Sequence, residues 1–143
     1  MNDTTSLPKK TDLYNFDYEH SYWPSIEFYL KRAGEAIHHH NAKWWVDLHT
    51  GEPIQRNAGE LLMLIVSEIA EGMEGHRKNL MDDKLPNRPM LEVELADAMI
   101  SIFDMAQGFG LDLAGALVEK CKFNVTRQDH TREARLSPGG KAY

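Results

Sequence analysis

The strongest constraint on the fold is a segment near the middle of the chain whose start signal and apolar content both indicate a long helix. Asn57 is a favoured helix N-cap, and Glu60 follows it at the capping-box spacing. Apolar residues then run without interruption from Leu61 to Val66, which leaves this end of the helix with no polar face. Other helices must enclose such a segment. We expect the helix to extend to about Lys78.

Three further helices are predicted around it. Residues 25–40 carry an approximate helical stripe of apolar side chains, a third helix should run from Pro89 to about Gln107, and Asp112 can cap a fourth that reaches about Arg127. Gly108 should end the third helix. No strand-like alternation is present in the sequence. The predicted fold class is therefore all-α, a four-helix bundle-like single domain.

The chain divides into three parts at this level. Residues 1–24 contain scattered aromatic residues without a sustained period, and we interpret them as an N-terminal arm. Residues 25–127 form the helical domain. Residues 128–143 are polar, contain the Ser137-Pro138-Gly139-Gly140 stretch, and are predicted to be a loop-like C-terminal tail.

Charge and cysteine content exclude several classes of function. A formal net charge of -6 argues against non-specific binding to nucleic acid, which depends on a basic face. The longest apolar run is far shorter than the roughly 18–20 residues of a membrane span. A single cysteine, Cys121, forms no disulfide within the chain. We therefore expect a cytoplasmic protein that has neither nucleic acid nor a membrane as its partner.

Two carboxylate pairs are the most informative chemical feature. Glu68 and Glu71 lie three residues apart on the second helix, and Glu94 and Asp97 repeat that spacing on the third. A short connector makes these two helices antiparallel neighbours, so the pairs should face each other. Four like charges at such close range require neutralisation by protons or cations.

A divalent metal ion is the neutralising group that best fits these ligands. Oxygen donors select Mg²⁺, or alternatively Mn²⁺, and Mg²⁺ commonly completes its coordination with substrate phosphates. The alternative is a solvated acidic face, to which Glu60 and Glu74 would also belong. Because the second pair is flanked by large apolar residues, we favour the metal site.

The same residues resemble a known family. The segments Ser67-Glu68-Ile69-Ala70-Glu71 and Glu94-Leu95-Ala96-Asp97, separated by 22 residues, are similar to the ExxE and ExxD motifs of MazG-like all-α nucleoside triphosphate pyrophosphohydrolases, especially their short bacterial and phage-borne members. The resemblance covers roughly residues 57–143. Its C-terminal part is carried by Lys120, Asn124, Val125, Thr126, Arg127, His130, Glu133, Gly139, Gly140 and Lys141.

The resemblance implies an activity and a metal centre. It implies Mg²⁺-dependent hydrolysis of a nucleoside triphosphate between its α and β phosphates, giving a monophosphate and pyrophosphate, as a house-cleaning activity on a bundle completed by oligomerisation. It assigns metal ligation to Glu68, Glu71, Glu94 and Asp97. Many members have a further glutamate where this chain has Ser67. For the base that accepts the proton of the attacking water, we predict Glu71 or the nearby Glu74.

Substrate contacts are predicted on the fourth helix and at a tryptophan. Lys120, Asn124 and Arg127 follow at i, i+4 and i+7, a stripe suited to a polyphosphate chain. The alternative is that these cations only complement the helix dipole. Trp45 could stack on a nucleobase, although a core or interface position is the common role for tryptophan.

The predicted assembly is a symmetric homodimer or homotetramer, because four helices are few to enclose both a core and a pocket. A rival interpretation is a non-catalytic helical interaction or structural protein that holds a metal on the same carboxylates. A di-iron centre is disfavoured, since the Glu35/His38 spacing occurs once and such bundles need two copies. His38, His39 and His40 point in different directions on a helix, so they cannot chelate one ion together.

Overall fold

The computed structural model describes residues 22–141, and within this range the protein consists of helices and connecting turns, with no strand. The all-α prediction is confirmed. In the described residues, none of the helices combines the length and apolar character that a membrane crossing needs. The five α-helices are α1 (Tyr22–Asn41), α2 (Ala58–Lys78), α3 (Met90–Gly108), α4 (Leu113–Thr126) and α5 (Arg132–Leu136), with short 3-10 turns at Ala42–Trp44 and Gln128–His130.

The α2 helix begins and ends where its sequence signals predict. The Asn57 side chain accepts hydrogen bonds from the backbone N–H of Gly59 at 2.8 Å and of Glu60 at 3.2 Å, which satisfies two donors of the first turn. The helix ends at Lys78, and Asn79 follows in the left-handed conformation at φ 52°. The boundaries of α3 and α4 agree with prediction to within one residue.

Two segments differ from the prediction. The α1 helix begins at Tyr22 rather than Ser25, so Pro24 lies in its first turn, where a missing backbone N–H leaves no helical hydrogen bond unmade. The tail is not a simple loop, because Thr131 caps α5 by accepting from Ala134 N–H at 3.2 Å. A helix of five residues is too short to show a period in the sequence. Residues 1–21 of the predicted arm lie outside the described residues.

The helices pack in an open row. The α2 helix lies along α3, α3 also packs against α1, and α1 packs against α4. Within the described residues, α2 and α4 make no substantial contact, so one chain does not close its four long helices into a ring. The core is correspondingly small, and no large side chain described is fully buried; the buried apolar residues are Leu61, Ile65, Ala98, Phe103, Ala106, Ala114 and Val118.

Two glycines of α2 allow the close approach to α3. A β-carbon at Gly72 would lie 3.3 Å from the β-carbon of Glu94, and one at Gly75 would lie 2.8 Å from that of Met90. The second distance is shorter than carbon atoms tolerate. Gly75 therefore sets how closely the two helices approach, and with it the separation of the carboxylates they carry.

We expect Gly75→Ala to destabilise the protein by about 1–3 kcal/mol, because the new methyl group overpacks the contact with Met90. Helix propensity alone would give the opposite sign, a gain of about 1 kcal/mol. Urea unfolding followed by circular dichroism measures the difference. The matched control is Gly59→Ala in the exposed first turn of α2, where the new β-carbon would lie 3.1 Å from Asn57 Oδ1 and would not touch α3, so any loss should be smaller than that of Gly75→Ala. A stabilised Gly75→Ala variant would contradict the packing argument.

Candidate metal centre

An acidic cluster lies where α2 and α3 face each other. Glu68 of α2 and Glu94 and Asp97 of α3 each present a carboxylate oxygen, and the three oxygens lie within 4.8 Å of one another. Glu94 is buried, Glu68 is half-buried and Asp97 is exposed. The cluster is therefore buried at Glu94 and open to solvent at Asp97.

The position of these side chains follows from helix geometry. Residues three apart share a helix face, so Glu94 and Asp97 project together from α3. Antiparallel packing places Glu68 opposite them, and Gly72, one turn further along α2, admits the β-carbon of Glu94. The expected meeting of the two helices' carboxylates is thus found for three of the four residues.

Burial and mutual repulsion perturb two of these carboxyl groups. The pKa of Glu68 is raised, chiefly by burial and then by the charges of Glu71 and Asp97. The pKa of Glu94 is also raised by burial and by the neighbouring Glu71, Glu68 and Asp97 charges. The Glu68 and Glu94 carboxyl groups lie close enough for each to influence the pKa of the other. Fully ionised, the cluster has negative charge that a cation would neutralise.

Glu71 stands beside the cluster rather than within it. Its charge acts on both Glu68 and Glu94, yet it is exposed and does not belong to the group of three with mutually close oxygens. Glu71 can therefore interact with a water molecule at the open edge without displacing a ligand.

Glu74, the other predicted base, is occupied by cations of its own helix. Its Oε2 accepts from Arg77 at 3.0 Å and 2.7 Å, and Lys78 pairs with its Oε1. These partners lower the pKa of Glu74, which weakens it as a proton acceptor. The Ser67 hydroxyl donates to the backbone carbonyl of Leu64 at 2.7 Å.

A cavity of about 240 Å³ begins one helical turn from the cluster. Leu64 lies one turn before Glu68 on α2, and Ser101 lies one turn after Asp97 on α3. The lining combines apolar and polar side chains; it comprises Asn41, Trp44, Arg56, Leu61, Leu64, Ser101 and Asp104.

The buried Asp104 lies in the lining of this cavity and has two side-chain partners. The Trp45 indole N–H donates to both carboxylate oxygens of Asp104, each at 3.1 Å. The Oδ1 atom of Asp104 also lies 2.7 Å from His38 Nδ1. The sequence analysis did not identify the partners of Asp104. They are 66 and 59 residues away, a pairing that no local spacing reveals.

Trp45 is a supporting residue in this arrangement. Besides its bond to Asp104, its ring meets Phe109 edge-on with centroids 5.8 Å apart, and it covers Gly108 so closely that no β-carbon would fit there. The exposed ring that lines the cavity belongs to Trp44.

The predicted phosphate-binding residues lie on α4, which packs on α1 at the far end of the row from α2. Arg127 forms two bonds to Asp129, at 2.9 Å and 2.6 Å, and Lys120 Nζ lies 5.1 Å from the centre of the Phe123 ring. Asn124 Oδ1 is buried and has no hydrogen-bond partner among the described residues. The described contacts do not bring these three side chains to the acidic cluster.

Comparison of the chain with family models, with curated protein sequences and with solved structures found no match in any of the three. The motif resemblance therefore remains a prediction, and the case for a function depends on the site itself.

The repulsion in the cluster predicts that removing one charge stabilises the metal-free protein. In EDTA at about pH 7.5, Glu94→Gln should raise Tm by about 3–6 °C, the shift that about 1 kcal/mol produces in a domain of this size. Glu92→Gln is the matched control on the same helix, because Glu92 is exposed and pairs with Arg88 at 3.2 Å. Differential scanning calorimetry of both variants decides the point, and a fall in Tm for Glu94→Gln would contradict it.

The same gain should depend on pH in one direction. A carboxyl whose pKa is higher in the folded than in the unfolded state favours folding when protonated, and that contribution is lost as the pH rises through the folded-state pKa. The advantage of Glu94→Gln should accordingly vanish near about pH 4, below the ordinary pKa of glutamic acid.

Proposed function

We propose that this protein is a Mg²⁺-dependent hydrolase that converts a nucleoside triphosphate to a nucleoside monophosphate and pyrophosphate. The observation that carries the proposal is the cluster of Glu68, Glu94 and Asp97, three carboxylate oxygens within 4.8 Å of one another, one helical turn from residues that line a cavity. A solvated acidic surface would not contain a buried carboxylate such as that of Glu94.

The donor set is suited to the metal. Carboxylate oxygens are hard ligands typical of Mg²⁺ and Mn²⁺, and a bound cation would offset the burial and the mutual repulsion that raise the pKa values of Glu68 and Glu94. When bound, the ion supplies Lewis-acid stabilisation of the phosphate oxygens and lowers the pKa of a bound water. Of the four metal ligands predicted from the sequence, Glu71 is the one whose carboxylate lies outside the group of three.

The residues around the cluster suggest a division of work. The exposed Glu71 accepts the proton of the attacking water, a task for which Glu74 is less suited because Arg77 and Lys78 already pair with it. The cavity accommodates the nucleoside end of the substrate, with Trp44 and Leu64 as apolar surface and Arg56 as a cation near the phosphates.

The remaining parts of the proposal concern α4 and assembly. Lys120, Asn124 and Arg127 are assigned to the polyphosphate, although Arg127 must exchange its bonds to Asp129 to reach it. The enzyme acts as a homodimer or homotetramer in the cytoplasm.

A non-catalytic helical protein that holds a metal on the same carboxylates is the second candidate. It is favoured by one observation, namely that α4 with its cations packs away from the cluster. This alternative predicts stabilisation by Mg²⁺ without turnover of any nucleotide.

The reaction class is tested by product analysis of common ribo- and deoxyribonucleoside triphosphates with Mg²⁺. We expect monophosphate and pyrophosphate as the first products. Changing Glu68, Glu71 or Glu94 to Gln, or Asp97 to Asn, should reduce kcat by about a hundredfold or more, because each change removes a charge from the metal centre or the base beside it. Glu92→Gln should retain normal turnover.

Two outcomes would overturn the assignment. Orthophosphate as the primary product would indicate another reaction, and near-normal turnover of any two of the four amide variants would remove the cluster from the active site. Thermal stabilisation by Mg²⁺ without any hydrolysis would support the second candidate instead.

The role of α4 is tested by Lys120→Ala, with Lys122→Ala as a matched control on the same helix. A charge-assisted hydrogen bond contributes about 1.5–3 kcal/mol, so the loss of Lys120 should lower kcat/KM by about ten- to 150-fold at unchanged metal affinity. If Lys120 only complements the helix dipole, kcat/KM stays constant and unfolding shows a loss of a few tenths of a kcal/mol. Steady-state kinetics and melting curves on both variants distinguish these results.

A further inference from the structure

The carboxylate cluster and the cavity beside it draw on the same faces of α2 and α3. Glu68 of the cluster and Leu61 of the cavity lining are seven residues apart on α2, and Asp97 and Asp104 are seven apart on α3. Seven residues make almost two turns, about 10 Å along the axis, so each of these pairs shares one face of its helix. Because α2 and α3 are antiparallel, the cavity lies in the same direction from the cluster along both helices. This separation is comparable to the length of a nucleoside monophosphate.

Asp104 has hydrogen-bond acceptor capacity that the described residues do not fill. Its side chain is buried, receives the Trp45 indole N–H at 3.1 Å on each oxygen, and lies 2.7 Å from His38 Nδ1. A carboxylate has about four lone-pair positions, so two donors leave about two positions open. Because Asp104 lines the cavity, a ligand with two adjacent N–H groups would fill both of them.

The other lining residues suit a flat aromatic ligand. The Trp44 ring is exposed and offers a stacking surface, and Leu64 adds apolar contact. The Asn41 amide and the Ser101 hydroxyl can each donate a hydrogen bond to an oxygen of the ligand. With a volume of about 240 Å³, the cavity is smaller than the roughly 300–1,000 Å³ of pockets that enclose drug-sized ligands, so it fits a nucleobase rather than a whole nucleotide.

We propose that this cavity selects guanine and that Asp104 is the residue that determines the selection. The inference rests on the proposed function, and it names guanosine triphosphates as the substrate class. Guanine carries two adjacent donors, N1–H and the 2-amino group, which match the two open acceptor positions of Asp104. Its O6 oxygen, next to N1–H, is an acceptor for the donors of Asn41 and Ser101.

The remaining bases lack this pattern of donors. Adenine and cytosine each present one amino group beside a ring nitrogen lone pair, and uracil and thymine present one N–H between two carbonyl oxygens. An ionised carboxylate is an acceptor only, so each of these bases would place a lone pair against Asp104. The repulsion excludes the wrong base while the hydrogen bonds favour guanine.

The first test measures binding of nucleoside monophosphates to the full chain by isothermal titration calorimetry with Mg²⁺. Monophosphates cannot release pyrophosphate, so the measurement does not depend on hydrolysis. IMP lacks only the 2-amino group of GMP, and the loss of one hydrogen bond to a charged group should weaken binding by about ten- to 150-fold. XMP, which has an oxygen at that position, and AMP and UMP should bind at least as weakly as IMP. The values of kcat/KM for GTP, ITP and XTP should fall in the same order.

The second test exchanges the specificity with Asp104→Asn. An asparagine offers one acceptor and one donor, which match the N1–H and the 2-oxygen of xanthine. The variant should bind XMP at least tenfold more tightly than the unmodified protein does, and GMP at least tenfold more weakly. If Asp104 only supports the cavity wall, the variant weakens both ligands alike. Asp83→Asn in the exposed α2–α3 connector is the matched control and should change neither constant.

The outcomes separate this inference from the proposed function. Equal dissociation constants for GMP, IMP and AMP, or no binding of GMP, would overturn guanine selection even if triphosphates are hydrolysed. Selective binding of GMP without any pyrophosphate release from GTP would support the guanine site and contradict the hydrolase. Circular dichroism verifies that Asp104→Asn retains its helix content, and if it does not, the ligand series on the unmodified protein decides the question.

Discussion

The repulsion among carboxylates held between α2 and α3 is the interaction on which the rest of the structure depends. Glu68, Glu94 and Asp97 approach one another because Gly72 and Gly75 leave no side chain between the two helices. Apolar burial at Leu61 and Ile65 holds the helices together against this repulsion. The result is a helix contact in which apolar burial outweighs the repulsion of like charges.

The organisation of the pair separates binding from assembly. One side of the pair carries the exposed carboxylates of Glu71 and Asp97, while the other side exposes apolar residues such as Val66 and Met99. Because a helix has distinct faces, one pair of helices can present a polar site and an oligomer interface that do not compete for residues. The small core of a single chain becomes understandable in this light, since the proposed second copy would enclose the surface that one chain leaves exposed.

Asp104 shows how a supporting network can stabilise a site from a distance. It is buried and bonded to His38 and Trp45, so both oxygens have partners and the wall of the cavity is held in place. Trp45, a candidate for base stacking on sequence grounds, donates its indole N–H to Asp104, and the exposed Trp44 lines the cavity. The two adjacent tryptophans thus lie in different surroundings, Trp44 at the end of the 3-10 turn Ala42–Trp44 and Trp45 at its C-cap.

The sequence alone determined the features that depend on near neighbours. The cap at Asn57, the stop at Gly108 and the i, i+3 spacing of the carboxylates all lie within one or two helical turns, so local rules predict them. Only the tertiary structure decided which predicted ligands meet, that Asp104 pairs with His38 and Trp45, and that α4 packs on α1. These outcomes depend on crossing distances and side-chain directions between segments remote in sequence, and residue spacing along a chain contains no direct record of either.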